Sequence, residues 1–260
     1  MKIYRVFFIA VLLLVVFFNS VTVTASECRS WYIKRNGTRP PSPPPDIELI
    51  RENDGFFMND RLSENEKKIY LTFDAGYENG NLEKILDVLK AENVPAAFFI
   101  LDNLIVKNTD LVIRMANEGH LVCNHTKRHK NLSGATEDEI IKDLTALEEL
   151  YKEKTGREMD KYFRFPEGKY SEFAIKCNKN MGYKTMFWSF AYEDWDNQKQ
   201  PSKEYAMKKI LSNTHNGAII LLHPNSSTNA EIMKDLIYSW REMGYEFGNL
   251  HDFDSLNSKA

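Results

Sequence analysis

The feature that most constrains this chain is a repeated alternation of short apolar segments with amphipathic segments, from residue 68 almost to the C-terminus. Strand-length runs rich in β-branched and aromatic residues predict strands at 69–73, 94–100, 120–124, 162–165, 184–190, 218–222 and 245–249. Such alternation predicts an α/β domain with a parallel sheet covered by helices, either wound open or closed into a barrel. Seven strands favour the barrel.

Helix boundaries can be assigned from capping signals. Thr136 with Glu139 forms a capping box, and Gly156 marks the end of the helix that it opens. A second pair, Thr228 with Glu231, predicts the start of the last long helix.

The N-terminus has the pattern of an export signal, predicted for residues 1–25. Lys2 and Arg5 precede an unbroken apolar run at 6–18, and a small residue, Ala25, suits cleavage. The run is shorter than the roughly 20 residues that a membrane-crossing helix needs, which favours cleavage over retention as an anchor. An uncleaved signal anchor remains the alternative, and it would be the chain's one membrane attachment.

Residues 26–66 are predicted to be an extended lead-in, because the proline-rich run 40–45 favours a semi-rigid spacer over packed structure. The catalytic domain is expected at 67–255. The three cysteines, Cys28, Cys123 and Cys177, have no paired short spacing, so they predict neither a disulfide framework nor a thiolate zinc site.

Composition argues against a nucleic-acid partner. The 260 residues carry a net charge of −3, and the lysines and arginines are scattered rather than gathered into a basic stripe. A hydrophobic content of 43% is that of a globular chain.

Polar residues with useful chemistry follow five of the predicted strands. They are Asp74, His125, Arg164, Asp194 and His223. The carboxyl ends of parallel strands meet at one edge, where loops assemble sites, so we expect these side chains to converge. The alternative is that strands simply end at polar residues.

His125 and His129 have the i, i+4 spacing that directs two imidazoles at one point on a helical turn. Neutral imidazole nitrogens suit Zn²⁺ and similar ions. A bare His-x-x-x-His is often two surface histidines, but its position after a strand favours a metal site.

Asp74 lies where a strand enters an acidic, glycine-bearing loop, and it can act as a general base or be a turn aspartate. Arg164 can hold that carboxylate in a bidentate pair, or belong to a purely structural ion pair. His223 can protonate a leaving amine or be a buried core histidine.

Aromatic residues cluster near Asp194. Trp188, Tyr192 and Trp195 can present flat apolar faces to a sugar ring, although aromatic residues at a strand end are also common in cores.

From about residue 68 onward, five motifs occur in order along the chain: Thr72-Phe73-Asp74, His125-x-x-x-His129, Arg164-Phe165-Pro166-Glu167-Gly168, Asp194-Trp195 and Leu222-His223-Pro224. Together they resemble the five blocks of the polysaccharide deacetylase (NodB-homology) family, carbohydrate esterase family four. The resemblance implies a distorted (β/α) barrel and a divalent metal, Zn²⁺ by preference. It also implies roles: Asp74 as base, His125 and His129 as ligands, Arg164 orienting the base, Asp194 steadying Arg164, and His223 as acid.

Two positions depart from the family pattern. Ala75 stands where most members have an aspartate that is the third metal ligand, so the metal site lacks one donor, for which Glu78 and Asn79 are candidates. Glu167 replaces a usual aromatic residue in the third block, and its backbone N–H is expected to serve an oxyanion.

Within the family, the Gly76-Tyr77-Glu78-Asn79-Gly80 extension and the form of the fourth block resemble the sporulation branch, the delta-lactam-biosynthetic de-N-acetylases. This implies removal of acetyl from muramic acid already stripped of peptide by a muramoyl amidase, followed by closure to muramic δ-lactam in spore cortex. The expected partner is the peptidoglycan strand, met outside the cytoplasm in the wall or the forespore intermembrane space. Two alternatives stay open: a de-N-acetylase of glucosamine residues in vegetative wall or chitin-like glycan, and a non-catalytic glycan-binding relative.

Overall fold

A computed structural model describes residues 27–63 and 65–256, so the predicted export signal lies outside the described residues. The strands are β1 Arg29–Ser30, β2 Lys34–Asn36, β3 Arg39–Ser42, β4 Gly55–Phe56, β5 Lys68–Ala75, β6 Ala97–Ile100, β7 Leu121–Asn124, β8 Asp160–Phe163, β9 Lys169–Tyr170, β10 Lys184–Met186, β11 Ile219–Leu222 and β12 Glu246–Phe247. The helices are α1 Ile47–Glu52, α2 Leu82–Ala91, α3 Asp102–Lys107, α4 Thr109–Asn117, α5 Glu137–Thr155, α6 Glu172–Asn180, α7 Lys203–Leu211 and α8 Ser227–Glu242. Short 3₁₀ turns span Pro166–Gly168 and Leu250–Phe253.

The main sheet confirms the distorted (β/α) barrel of seven parallel strands in a single domain. Its order is β11-β5-β6-β7-β8-β10-β4, with parallel pairing throughout. An isolated parallel bridge between Phe190 and Ile220 ties the chain after β10 to β11 and helps to curl the sheet. Both faces of the sheet are covered, which explains why β5 is a nearly continuous apolar run.

All the predicted strands are found, but the seventh does not take part in the main strand order. The segment 245–249 contains β12, which pairs only with the start of β5 and lies off the main strand order. Its expected position in the barrel is taken by β4, which pairs with β10 and comes from the lead-in.

The lead-in is therefore packed, and the expectation of an extended spacer at 26–66 is wrong. Trp31 and Ile50 are buried in a core cluster with Phe187, and β1 pairs with β9. Within the proline run, Pro41 and Pro44 are buried. Apolar residues on both sides of the prolines supply enough burial to dock the segment on the barrel.

The helix caps agree with one prediction and correct the other. Thr136 and Glu139 form the capping box of α5, and Gly156 ends that helix in the left-handed conformation. Helix α8 is instead capped by Ser226, which precedes its first residue and whose hydroxyl accepts the N–H of Asn229 at 3.1 Å. Thr228 is already inside the helix, and its hydroxyl donates to the carbonyl of Pro201.

Within the part of the chain that the structure describes, no helix is both long and apolar enough to span a bilayer. Cys123 and Cys177 are buried free thiols, and Cys28 is exposed.

Candidate active site

The structure brings the candidate residues to the carboxyl ends of the parallel strands. Asp74 is the last residue but one of β5, and His125, Arg164 and His223 directly follow β7, β8 and β11. Neighbouring strands are in register here, so consecutive strand ends place these side chains around one opening.

Arg164 holds Asp74 through a single hydrogen bond, not the bidentate pair that the sequence suggested. Its Nη1 donates to Asp74 Oδ1 at 2.8 Å, while Nη2 donates to Thr72 Oγ1 and Nε to the carbonyl of Met186, each at 2.9 Å. The guanidinium is fully buried and lies 4.1 Å from the ring centre of Phe99. All three directions of the fork are used, so the arginine is fixed in place.

Asp194 contacts His223, which corrects the expectation that it steadies Arg164. Asp194 Oδ1 lies 2.7 Å from His223 Nδ1, and Oδ2 accepts from the backbone N–H of His223 at 2.8 Å and from Asn229 Nδ2 at 2.6 Å. The carboxylate is fully buried. Since its oxygens are taken by His223 and Asn229, and the arginine donors are taken elsewhere, the two groups act on different partners.

These contacts shift the pKa values of Asp74 and His223 in opposite directions. Burial alone would raise the pKa of the Asp74 carboxyl, but the neighbouring His125, Arg164 and His223 outweigh it and hold that pKa below its ordinary value. Because burial keeps His125 itself neutral, the positive charge comes from Arg164, which also donates a hydrogen bond, and from His223. Burial alone would lower the pKa of His223, but the hydrogen bond and charge of Asp194, with the charge of Asp74, raise it above its ordinary value. The two shifts bias the carboxyl towards its ionised form and the imidazole towards its protonated form.

His125 has the environment of a metal ligand. Its Nδ1 lies 2.8 Å from the carbonyl of Arg164, which can only accept, so Nδ1 carries the proton and Nε2 has a free lone pair. Nε2 is buried without a hydrogen-bond partner and lies 3.4 Å from Asp74 Oδ2. Burial lowers the pKa of this imidazole to about 4, which keeps it neutral as ligation requires.

His129 lies close to His125, as the spacing predicted, but the backbone between them does not have the predicted helical conformation. The ring centres are 5.0 Å apart, but the segment is a loop rather than a helical turn. Thr126 and His129 have positive φ angles of 67° and 56°, a conformation uncommon for residues with a Cβ. Asn124 fixes the start of this loop, because its Oδ1 accepts the N–H of Thr126 at 2.9 Å.

A third protein donor is not evident. Among residues 27–63 and 65–256, no group of three histidine, cysteine or acidic side chains is arranged to hold a metal. Ala75 is fully buried in β5, and Asn79 Nδ2 donates to the carbonyl of Asn225. The Oε1 of Glu78 accepts from Gly80 N–H, and its Oε2 is buried without a hydrogen-bond partner. The orphaned Nε2 of His125 and the adjacent His129 ring fit a divalent ion held by two imidazoles and water.

The aromatic candidates lie in different environments. Trp195 is 54% exposed and its ring centre is 6.0 Å from that of His223. Trp188 is half-buried, with its ring 6.0 Å from the guanidinium of Arg164. Tyr192 is only 5% exposed, and its hydroxyl donates to Asn229. Tyr192 therefore supports the Asp194 loop and has little surface to offer a sugar.

Glu167 lies on the exposed loop after β8, with φ 56° and an ion pair to Lys169 at 2.5 Å. The next residue, Gly168, has φ 63°, and a Cβ there would come within 2.8 Å of the Trp188 ring. Only glycine allows this close approach, so the loop is held against Trp188.

Three supporting residues were not predicted from the sequence. Thr72 fixes Arg164, Asn229 fixes Asp194, and Asn225 donates to the hydroxyl of Tyr77 and the carbonyl of Trp195. Asn225 thereby joins the loops that follow β5, β10 and β11. The sequence signal for Asn225 and Asn229 was their position, because both follow His223 near the start of α8. Polar residues are common at the start of a helix as capping residues, so this position did not distinguish them.

The fold and the site define a class of hydrolase. A carboxylate held ionised by a buried arginine, a histidine paired with a second carboxylate, and two adjacent imidazoles at the mouth of a (β/α) barrel are groups that activate water and protonate a leaving group. The chain belongs to the polysaccharide deacetylase family, carbohydrate esterase family 4, whose members hydrolyse N-acetyl amide bonds and in general depend on a metal. The family model for polysaccharide deacetylases matches residues 61–186.

Individual relatives extend this similarity along most of the chain. Over 230 residues, 87% of this chain and 86% of the relative, it is 39% identical to PdaA, the peptidoglycan-N-acetylmuramic acid deacetylase of Bacillus subtilis. The solved structure of that family 4 carbohydrate esterase covers 88% of this chain and 97% of its own, with a TM-score of 0.83 at 38% identity. A peptidoglycan-N-acetylglucosamine deacetylase of Bacillus cereus is 35% identical over 159 residues, 61% of this chain and 56% of that protein.

Proposed function

We propose that the protein removes the acetyl group from N-acetylmuramic acid in peptidoglycan whose peptide has been stripped, and that the freed amine then condenses with the lactyl carboxyl group, with loss of water, to give the muramic δ-lactam of spore cortex. The observation that carries this choice of sugar is the extent of similarity. The likeness to the muramic acid deacetylase covers 87% of the chain, whereas the likeness to the glucosamine deacetylase covers 61%.

In this proposal Asp74 is the general base. Its lowered pKa keeps it ionised, and Arg164 orients it so that one oxygen accepts the proton of the attacking water. The water adds to the acetyl carbonyl, and the backbone N–H of Glu167 donates to the oxyanion that forms.

His223 is the general acid. Its raised pKa keeps a proton on the imidazole, and Asp194 at 2.7 Å from Nδ1 directs the other nitrogen toward the opening. The C–N bond breaks as that proton passes to the leaving nitrogen, which gives a free amine and acetate. Trp195, and Trp188 beside Arg164, supply apolar surface for the sugar ring.

His125 and His129 would hold a divalent ion, Zn²⁺ by the preference of imidazole donors. Such an ion, when bound, would supply Lewis-acid polarisation of the acetyl carbonyl and a lower pKa for water. With Ala75 in place of an aspartate, the protein supplies one donor fewer than three-ligand zinc sites do. We therefore expect weaker metal binding than in family members that keep the aspartate.

The proposal also places the protein outside the cytoplasm. The export pattern at residues 1–25 would deliver the chain to the wall or the forespore intermembrane space, where its substrate is made by a muramoyl amidase. The activity would then depend on prior peptide removal by that enzyme.

The test is to treat spore-type peptidoglycan with the protein, with and without an earlier amidase digestion, and to identify products by mass spectrometry. We expect acetate release and δ-lactam only after amidase treatment, and loss of both with a chelator. Loss of acetyl from glucosamine instead would establish the glucosamine alternative. Binding of glycan without acetate release would establish the non-catalytic one.

Asp74→Asn provides the matched inactive variant. It keeps the shape of the side chain but removes the base, so we expect a drop of about 10² to 10⁴ in kcat. Circular dichroism must show a folded protein, because the buried Arg164 loses its counter-charge. Full turnover by this variant would refute the role of Asp74.

A further inference from the structure

A groove of about 710 Å³ lies beside the catalytic opening, within the range of about 300–1,000 Å³ typical of ligand sites. One wall is Arg35 of the β2–β3 hairpin, another is the loop after β10, and the third is Lys209 with Tyr205 on α7. Tyr205 is 54% exposed.

The groove borders the catalytic residues through two tryptophans. Trp188 and Trp195 line it, and these are the two rings that lie 6.0 Å from the guanidinium of Arg164 and from the ring of His223. A glycan bound with one sugar over His223 would therefore extend into the groove.

The cations of the groove lack acidic partners. Within residues 27–63 and 65–256, no salt bridge joins Arg35, Lys199 or Lys209 to a carboxylate. Arg35 donates to the carbonyl of Ala191 and lies over the ring of Phe190, which positions its charge at the wall. Lys209 is half-buried, which is an unfavourable place for an unpaired ammonium.

In a second cavity, by contrast, the cations that line the wall do have acidic partners. The cavity of about 900 Å³ between α2 and α4 also contains two cations, Lys90 and Arg114. Both are paired there, Lys90 with Glu118 at 3.1 Å and Arg114 with Asp87 and Glu118 at 2.6 and 2.9 Å. That cavity lies at the amino ends of β6 and β7, away from the catalytic residues.

We propose that the groove is a binding site for the glycan strand to one side of the reacting sugar, and that Arg35, Lys199 and Lys209 recognise the free lactyl carboxylates of peptide-free muramic acid. This rests on the proposed function for the identity of the strand. Removal of peptide leaves one carboxylate on each muramic acid, so the strand is an anion with sugar faces. The groove offers the complement, three cations against two acidic side chains, Glu193 and Asp196, together with aromatic rings.

The assignment explains how the protein would select stripped glycan. A muramic acid that still carries peptide has its lactyl carboxyl in an amide bond, which is neutral and bulky. It has no lactyl carboxylate to place against the three cations at the sugar itself, so substrate choice would arise from the position of the charge as well as from shape.

The test compares two glycan oligosaccharides, one with free lactyl carboxylates and one with the same carboxylates converted to methyl amides. Binding is measured by calorimetry on the inactive Asp74→Asn background, so turnover does not interfere. We expect the double variant Lys199→Gln/Lys209→Gln to bind the free-acid glycan about three- to tenfold more weakly, and the amidated glycan equally well. Arg35→Gln should act in the same direction.

The matched control is Lys84→Gln/Lys208→Gln, which removes the same charge from exposed positions outside the groove. It should leave both affinities unchanged. Equal affinity losses for the two glycans, or no loss for the free-acid glycan, would overturn the groove assignment. If the carboxylate-dependent binding holds but no acetate is released by the unsubstituted protein, the proposed function fails and the binding site stands.

Discussion

The buried carboxylate of Asp194 acts directly on His223, the proposed general acid. Asp194 is fully buried and bonds both the ring and the backbone N–H of His223. The family resemblance had linked Asp194 to Arg164. Geometry instead links it to the acid, where its charge raises the pKa of the imidazole.

Asp194→Asn should therefore move the alkaline limb of the pH–rate profile. The raised pKa of His223 keeps its proton as pH rises, and without the carboxylate charge that proton is lost at lower pH. We expect the limb of kcat/KM to shift to lower pH and the maximum to fall by about 10². Asp235→Asn, on the exposed face of α8, is the control and should leave the profile in place. An unmoved alkaline limb in Asp194→Asn would contradict the pairing.

His120 is a buried histidine without a catalytic role. It is 4% exposed, neither ring nitrogen has a hydrogen-bond partner, and burial lowers its pKa to about 4. In the unfolded chain a histidine has a pKa of about 6.5. The unfolded state thus binds a proton that the folded state refuses, and stability falls as pH drops from 6.5 towards 4.

Replacement of His120 should flatten this dependence. In His120→Leu we expect the slope of the unfolding free energy between pH 6.5 and 4 to decrease by up to about 1.4 kcal/mol per pH unit, the value of one proton. Urea denaturation at several pH values measures it. The same slope in both proteins would show that His120 is not the group that titrates.

At the scale of elements, the sequence predicted what depends on local pattern. The apolar runs gave the strands, and the capping box of Thr136 and Glu139 gave the start of α5. The polar residues at the carboxyl end of β5 and directly after β7, β8 and β11 identified most of the site, because parallel strands end at one edge.

Other features depended on contacts that local pattern does not encode. The prolines at 40–45 suggested a spacer, but burial of Trp31 against Phe187, distant in sequence, decides that segment. Asp194 lies eight residues after the end of β10, so its partner was set by how that loop folds back rather than by the strand.

The lead-in should accordingly stabilise the domain through Trp31. Its ring stacks on Phe187 at 4.5 Å and its Nε1 donates to the carbonyl of Trp188 at 3.0 Å. Trp31→Ala should reduce the free energy of unfolding by about 3–5 kcal/mol, as large core truncations do. Tyr32→Ala, at a neighbouring side chain that is 56% exposed, should change it by less than about 0.5 kcal/mol. Equal effects in denaturant titrations would argue against a packed lead-in.

In the molecule as a whole, a packed hydrophobic contact lies at the amino ends of the strands and the candidate catalytic residues lie at their carboxyl ends. The 3₁₀ turn Leu250–Phe253 packs under the amino ends of the strands, where Phe253 is fully buried against Phe56 and Tyr70. Asp252 accepts from Lys68 and Tyr70 at the same end. The candidate catalytic residues lie at the opposite, carboxyl end.

Phe253→Ala should therefore destabilise the protein by about 3–5 kcal/mol while kcat, measured well below the unfolding temperature, stays within twofold. Phe253→Leu, which keeps most of the volume, should cost less than about 1.5 kcal/mol. A loss of kcat in folded Phe253→Ala would show that the two ends are coupled.

The pairing of β4 with β10 has a consequence for any shorter form of this chain. The family match begins at residue 61, after β4 has ended. A fragment trimmed to that boundary would leave β10 with a row of unpaired N–H and C=O groups along an open border, and such a border invites pairing with another molecule. Self-association of the trimmed protein, rather than a milder loss of activity, is the behaviour that this geometry implies.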